Sequence, residues 1–212
     1  MYANQIKTIF LNWILPQLDS IDCIGSEVRI LDSSNIADLV LVTESKVIGF
    51  EIKGARDSFR RLTKQTSAYS NMFHGSYLLL EQDDYPAIAE AAKVVPVSFG
   101  ILLASPSKIT VKKEARFKKR ISKEWAAKWL TRRDLENCLR SHGINPAGQD
   151  VETLRVIVSR VMYANELNAE VMNRSRAKLQ GRFCRFIAEV GKIVTLDDLD
   201  NLHTDQMLIS AD

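Results

Sequence analysis

Asp38, Glu51 and Lys53 are the residues of this 212-residue chain whose types and spacing point to chemistry. They sit on two apolar segments, 37–43 and 47–53, that flank Glu44-Ser45. A two-residue turn at Glu44-Ser45, or a symmetric four-residue loop over 43–46, pairs Asp38 with Glu51. Cross-strand partners have Cβ atoms about 4.5–5.5 Å apart, where like charges repel. A divalent cation between the two acids removes that penalty, because hard ions take carboxylate oxygens. Lys53, two residues beyond Glu51, points to the same face of the strand. The plainer reading, a Lys53 salt bridge at a sheet edge, accounts for Glu-x-Lys alone. It leaves unexplained why an acid should face Glu51 from inside another apolar strand.

Asp38 followed by Glu51-Ile52-Lys53 on the next strand resembles the signature of the PD-(D/E)xK nuclease superfamily. Gln65-Thr66-Ser67-Ala68-Tyr69 on the following helix is similar to the Q-x-x-x-Y element of its RecB-like branch, as found in small bacterial and phage members. The resemblance covers about residues 1–105 and implies a restriction-endonuclease-like α/β core, a mixed β-sheet flanked by helices. It also implies a metal-dependent deoxyribonuclease, an endonuclease before an exonuclease, acting in DNA repair or phage defence. Asp38, Glu51 and the carbonyl of Ile52 would hold magnesium or manganese, which activates water and stabilises charge on the scissile phosphate. Lys53 would polarise the water or neutralise that charge. Gln65 would orient Lys53 or a phosphate, and Tyr69 lies one turn further along the same helix face. Arg56, Arg60, Arg61 and Lys64 surround the start of that helix and are expected to grip the nucleic-acid backbone. The motifs do not separate DNA from RNA; DNA is the expected partner. The other reading is a catalytically silent module that keeps the fold and binds nucleic acid or a protein, which the intact Asp38, Glu51 and Lys53 disfavour.

Two departures from the pattern stand out. Ala37 occupies the place of the signature proline. The upstream acid expected on or near the first helix is missing from 3–18; Asp19 and Asp22 follow that helix, and Glu27 precedes the next strand. Glu27 is the best candidate for a third metal ligand. A plain hairpin between 28–31 and 37–42 puts it near Leu41 or Val42, so reaching Asp38 requires a bulge or a looser loop.

The elements that must position these groups are legible in outline. Residues 3–18 read as an amphipathic helix with Ile6, Ile9, Phe10, Trp13 and Ile14 at helical spacing, closing near Pro16. Strand candidates follow at 28–31, 37–43 and 47–53, with a turn cluster at 32–35 between the first two. Asp57 is the expected N-cap of a helix to Phe73, followed by a strand at 76–81 and a helix over 85–94 with Pro86 in its first turn. A strand at 99–104 comes next, and alternation over 109–117 extends the sheet. From Ser122 onward the pattern turns helical. Trp125, Trp129 and Leu130 share a face, Thr131 or Asp134 begins another helix, 145–150 is a linker, and 151–190 holds one or two long helices. The expected division is a nuclease core over 1–120 and a helical extension over 121–212, the latter a DNA-binding or homodimerisation region.

Composition bounds these readings. Hydrophobic content of 46% and charged content of 26% suit a globular chain, and no apolar run reaches the roughly 18 residues of a membrane span. The start lacks the basic and small-residue features of a secretory signal, so a cytoplasmic location is expected. Three scattered cysteines and three scattered histidines fit neither a disulfide framework nor a zinc site. The net charge of +3 is unevenly spread: eleven Lys or Arg fall within 108–133, whereas 195–212 carries five Asp and no Lys or Arg. A second basic helix segment holds Arg174, Arg176, Lys178, Arg182 and Arg185 and is suited to lie along DNA or to form a soluble outer face.

Overall fold

Strands rich in Val, Ile and Leu, separated by amphipathic helices, assemble into one six-stranded mixed sheet with helices on both faces and a helical C-terminal part. The computed structural model describes residues 1–29, 36–55 and 57–203. The elements are α1 (Ala3–Ile14), β1 (Cys23–Arg29), β2 (Ile36–Val42), β3 (Val47–Lys53), α2 (Leu62–Met72), β4 (Gly75–Glu81), α3 (Tyr85–Val94), β5 (Gly100–Ser105) and β6 (Lys108–Lys113). The helical part comprises α4 (Lys123–Ala127), α5 (Arg132–Ser141), α6 (Val151–Val161), α7 (Ala164–Glu189) and α8 (Leu199–Leu202).

The strands lie in sequence order. β1, β2 and β3 form an antiparallel meander, β3, β4 and β5 run parallel, and β6 returns antiparallel at the edge. The two parallel steps each need a crossover, which α2 and α3 supply. Helix α1 crosses one face of β3 to β6, with the Phe10 ring centroid 4.7 Å from that of Phe50. Helix α2 covers the other face. Phe73, just after it, presses so closely on Gly49 that a Cβ there would stand 2.5 Å from the ring, so β3 needs glycine at that position. His74 ties the same corner, accepting from the Val47 N–H at Nδ1 over 3.0 Å.

The helical part packs back onto the sheet. Helix α7 lies against β1 and β2, and buried Trp129 donates its indole N–H to the carbonyl of Met72 at 2.8 Å. One hydrophobic cluster therefore runs from Ile6 on α1 to Leu202 on α8. Among the described residues no helix is long and apolar enough to cross a membrane.

Several expected boundaries differ. The strand expected at 28–31 begins five residues earlier, at Cys23, because Cys23, Ile24 and Val28 all find the core; Leu31 and the turn cluster at 32–35 lie outside the described residues. Asp57 does not cap a helix. Its carboxylate accepts the Gly54 N–H at 2.7 Å, Ser58 caps a short 3₁₀ turn (Phe59–Arg61), and α2 starts only at Leu62. The alternation over 109–117 stops as a strand at Lys113. The helix carrying Trp125 is a single short element that ends at Ala127, so only Trp129 of the two indoles is fully buried. At α5 the two candidate starts are one motif: Thr131 is the N-cap and Asp134 completes its capping box.

Candidate active site

The antiparallel ladder between β2 and β3 runs Val42↔Val47, Leu41↔Ile48, Val40↔Gly49 and Leu39↔Phe50. One step further it brings Asp38 opposite Glu51, the pairing expected from the turn at Glu44-Ser45. A hydrogen bond fixes the junction: the Ile52 N–H donates to Asp38 Oδ2 at 2.6 Å. Asp38 thus takes a place where a backbone carbonyl would otherwise close the ladder.

Glu51 is 2% exposed, and both its oxygens are engaged. Lys53 Nζ lies 2.8 Å from Oε1, and the Tyr69 hydroxyl donates to Oε2 at 2.8 Å. Lys53 Nζ also donates to Gln65 Oε1 at 3.2 Å. Gln65 and Tyr69 are four residues apart on α2, so one helix face supports both ends of the Glu51–Lys53 pair. Burial, reinforced by the charges of Glu51 and Asp38, holds the Tyr69 hydroxyl well above the usual phenol range, so it acts as a fixed donor. Asp38 is pushed up to about 7 by burial first and the Glu51 charge second, against the Ile52 N–H and the charge of Lys7.

Lys7 escaped the sequence reading. It projects from α1 into the protein, 3% exposed, and donates to Ser26 Oγ at 3.0 Å and Glu27 Oε1 at 2.5 Å. The available signal was its helical position: Lys7 shares the buried stripe of Ile6, Phe10 and Leu11. A lysine in such a stripe needs an anionic or polar partner.

Glu27 does not lie near Leu41 or Val42. The pairs Ser26↔Leu39 and Val28↔Ala37 bracket it directly opposite Asp38, because β1 runs from Cys23 and the connection to β2 is longer than a tight hairpin. Its backbone adopts the left-handed region, with φ of 52°. That local irregularity in the strand accompanies a carboxylate turned toward Lys7 and partly open to solvent. Glu27, Asp38 and Glu51 therefore occupy matching positions on β1, β2 and β3. With Lys7 and Lys53 they make three acids against two ammonium groups, a row short of one positive charge when all are ionised.

Asp38 and Glu51 offer hard oxygen donors, the kind that bind magnesium-like ions, with the Ile52 carbonyl at the same strand end. Among the described residues no group of three or more His, Cys, Asp or Glu side chains is gathered closely enough to hold an ion. Arg60 and Arg61 on the 3₁₀ turn and Lys64 on the first turn of α2 are exposed and form no ion pair among the described residues. Arg56 lies outside the described residues.

A family model described as bacteriophage P4 protein cII matches residues 1–203. No curated protein matches the chain. The solved structure of the SPO1766 protein of unknown function from Silicibacter pomeroyi aligns over 90% of this chain and 96% of that one, at 11% identity and a TM-score of 0.46.

Proposed function

This chain belongs to the bacteriophage P4 protein cII family, and we propose that it is a metal-dependent nuclease hydrolysing phosphodiester bonds of DNA. The observation that carries the reading is the facing pair Asp38 and Glu51, with Lys53 Nζ 2.8 Å from the Glu51 carboxylate at the end of an apolar strand. The Glu51–Lys53 ion pair needs one acid; the second, half-buried Asp38, faces it and accepts the Ile52 N–H, and a cation shared between the two carboxylates would relieve their repulsion.

Asp38, Glu51 and the Ile52 carbonyl are the groups that would hold magnesium or manganese, with Glu27 as an outer acid on the neighbouring strand. The ion, when bound, supplies Lewis-acid stabilisation of the phosphate and a water of lowered pKa. Lys53 carries the positive charge that neutralises the phosphate oxygens as negative charge grows on them. Gln65 holds the Lys53 ammonium by its amide oxygen, and Tyr69 fixes one Glu51 oxygen, so neither group has to be organised during the reaction. Arg60, Arg61 and Lys64 present exposed cations on the α2 side for the backbone of the substrate. The asymmetric pattern of a meander carrying the acids and a helix carrying their supports gives each group one role.

The test is incubation of the purified chain with linear, circular and single-stranded DNA in magnesium or manganese, beside EDTA and a Glu51→Ala variant. Metal-dependent cleavage that is lost in Glu51→Ala is expected, and cutting of circular DNA identifies an endonuclease. Cleavage that persists undiminished in Glu51→Ala sinks the assignment.

A further inference from the structure

Lys178 on α7 reaches the end of β1 and donates to the Arg29 carbonyl at 2.6 Å. Burial first, then the charges of Arg174, one helical turn away, and Arg29 pull its ammonium down to about 8, so both guanidinium groups stand within electrostatic reach of it. Among the described residues only Arg174 of the three is paired with a carboxylate: its Nε lies 3.2 Å from Asp134. Neither Lys178 nor Arg29 forms an ion pair among the described residues. A half-buried ammonium beside two guanidinium groups costs free energy unless an anion completes it.

The position of the cluster gives the anion its identity. Arg29 pairs with Ile36, and two ladder steps along the same strands stand Glu27 and Asp38, roughly 6–7 Å away at ordinary strand rise. The cations thus lie on the β1 side of the carboxylate row, whereas Arg60, Arg61 and Lys64 lie on the α2 side. A polyanion crossing the carboxylates meets positive charge on both flanks.

We propose that Arg29, Lys178 and Arg174 form a binding site for a backbone phosphate of the nucleic-acid substrate, on the β1 side of the Asp38–Glu51 pair. The site rests on the nuclease reading for its choice of polyanion but not for its charge. Lys178 supplies the ammonium donors not used by the Arg29 carbonyl, Arg29 supplies a partly exposed guanidinium, and Arg174 holds a second guanidinium against Asp134.

The experiment is fluorescence anisotropy of a short labelled DNA duplex with the full chain in EDTA, over a chloride series, for the native chain, Lys178→Gln, Arg29→Gln and the distant exposed control Lys93→Gln. Urea midpoints and near-ultraviolet dichroism of the tryptophans confirm that each variant is folded. Arg29→Gln removes a partly exposed side chain and serves if Lys178→Gln does not fold. Expected are a roughly tenfold loss of affinity and a salt slope smaller by about one for Lys178→Gln and Arg29→Gln, with Lys93→Gln unchanged. Unchanged affinity and slope in a folded Lys178→Gln or Arg29→Gln overturns the site. Displacement of the duplex by inorganic phosphate, beyond that by chloride of matched ionic strength, makes it a site for free phosphate and overturns the backbone assignment. Because binding is read in EDTA, the result stands apart from cleavage: a chain that binds as expected but never cuts DNA in magnesium keeps this site and loses the nuclease reading.

Discussion

Tyr69 donates its hydroxyl to Glu51 Oε2 at 2.8 Å while Lys53 holds Oε1, so the carboxylate at the end of β3 is gripped from a helix and from its own strand. The Tyr69 ring is 1% exposed and lies against Phe73 and Phe99, with centroids 5.0 and 6.2 Å away. Its hydroxyl therefore has one orientation, and the donor arrives with its aromatic packing.

Tyr69→Phe keeps that packing and removes the donor. A buried, charged acceptor left short of a partner costs about 1–3 kcal/mol. The expected result is an unfolding free energy lower by that amount, read as a lower urea midpoint at unchanged denaturant slope, and a roughly tenfold slower cleavage with unaltered DNA binding in EDTA. Equal stability of the variant and the native chain would show that Glu51 draws nothing from this bond.

Asp38 sets a pH dependence whose sign follows from its raised value. Below about pH 4 the carboxyl is protonated in both folded and unfolded chains. Between about 4 and about 7 the unfolded chain has released the proton and the folded chain has kept it, so the folded state binds more protons and loses stability as pH rises. Above about 7 both are ionised and the loss, a few kcal/mol, stays constant. Metal-free denaturation curves should therefore show this decline, and Asp38→Asn should flatten it. If the site binds magnesium as proposed, the ion would displace the proton, so its affinity should climb across the same window, as isothermal titration would measure.

The charge of Lys7 on α1 lowers the proton affinity of Asp38. Lys7→Met retains much of the side-chain volume and removes the charge, so Asp38 should hold its proton to higher pH. The acid limb of the pH–rate profile for cleavage should move in the alkaline direction, with the plateau rate reduced less than the rate at pH 6. A limb that stays in place would make Lys7 a tether for Ser26 and Glu27 with no effect on Asp38.

The facing of Asp38 and Glu51 was legible because the turn at Glu44-Ser45 fixes the register for the whole hairpin, and the apolar strands leave no second frame. Gln65 and Tyr69 were legible for a related reason: four residues on a helix share a face. Glu27 was misjudged because its strand was begun at Val28. Gly25 and Ser26 carry little β-signal, yet both are buried in β1, Gly25 against Leu179 of α7. The stripe position of Lys7 and the basic helix of Lys178 were local signals, but their partners were not legible, since they come from elements 19 and 149 residues away. Local pattern fixes which face a side chain takes; tertiary packing decides what it meets there.

Lys53 and Gln65 separate a chemical role from a positioning one. Lys53 Nζ touches both Glu51 and Gln65, and on the proposed reading it alone of the pair would bring charge to the phosphate. Lys53→Ala removes that charge from a largely buried site and should lower kcat by about 10²–10³, the range seen when a donor to developing negative charge is lost. Gln65→Ala leaves the ammonium bound to Glu51 and removes only its second anchor, which should lower kcat by about tenfold with KM nearly constant. The double variant is the decisive measurement. If Gln65 acts through Lys53, removing Gln65 from a chain already lacking Lys53 changes the rate little, and the two effects fail to add. Fully additive losses would instead mean that Gln65 meets the substrate itself, and the amide would then count among the groups that bind phosphate.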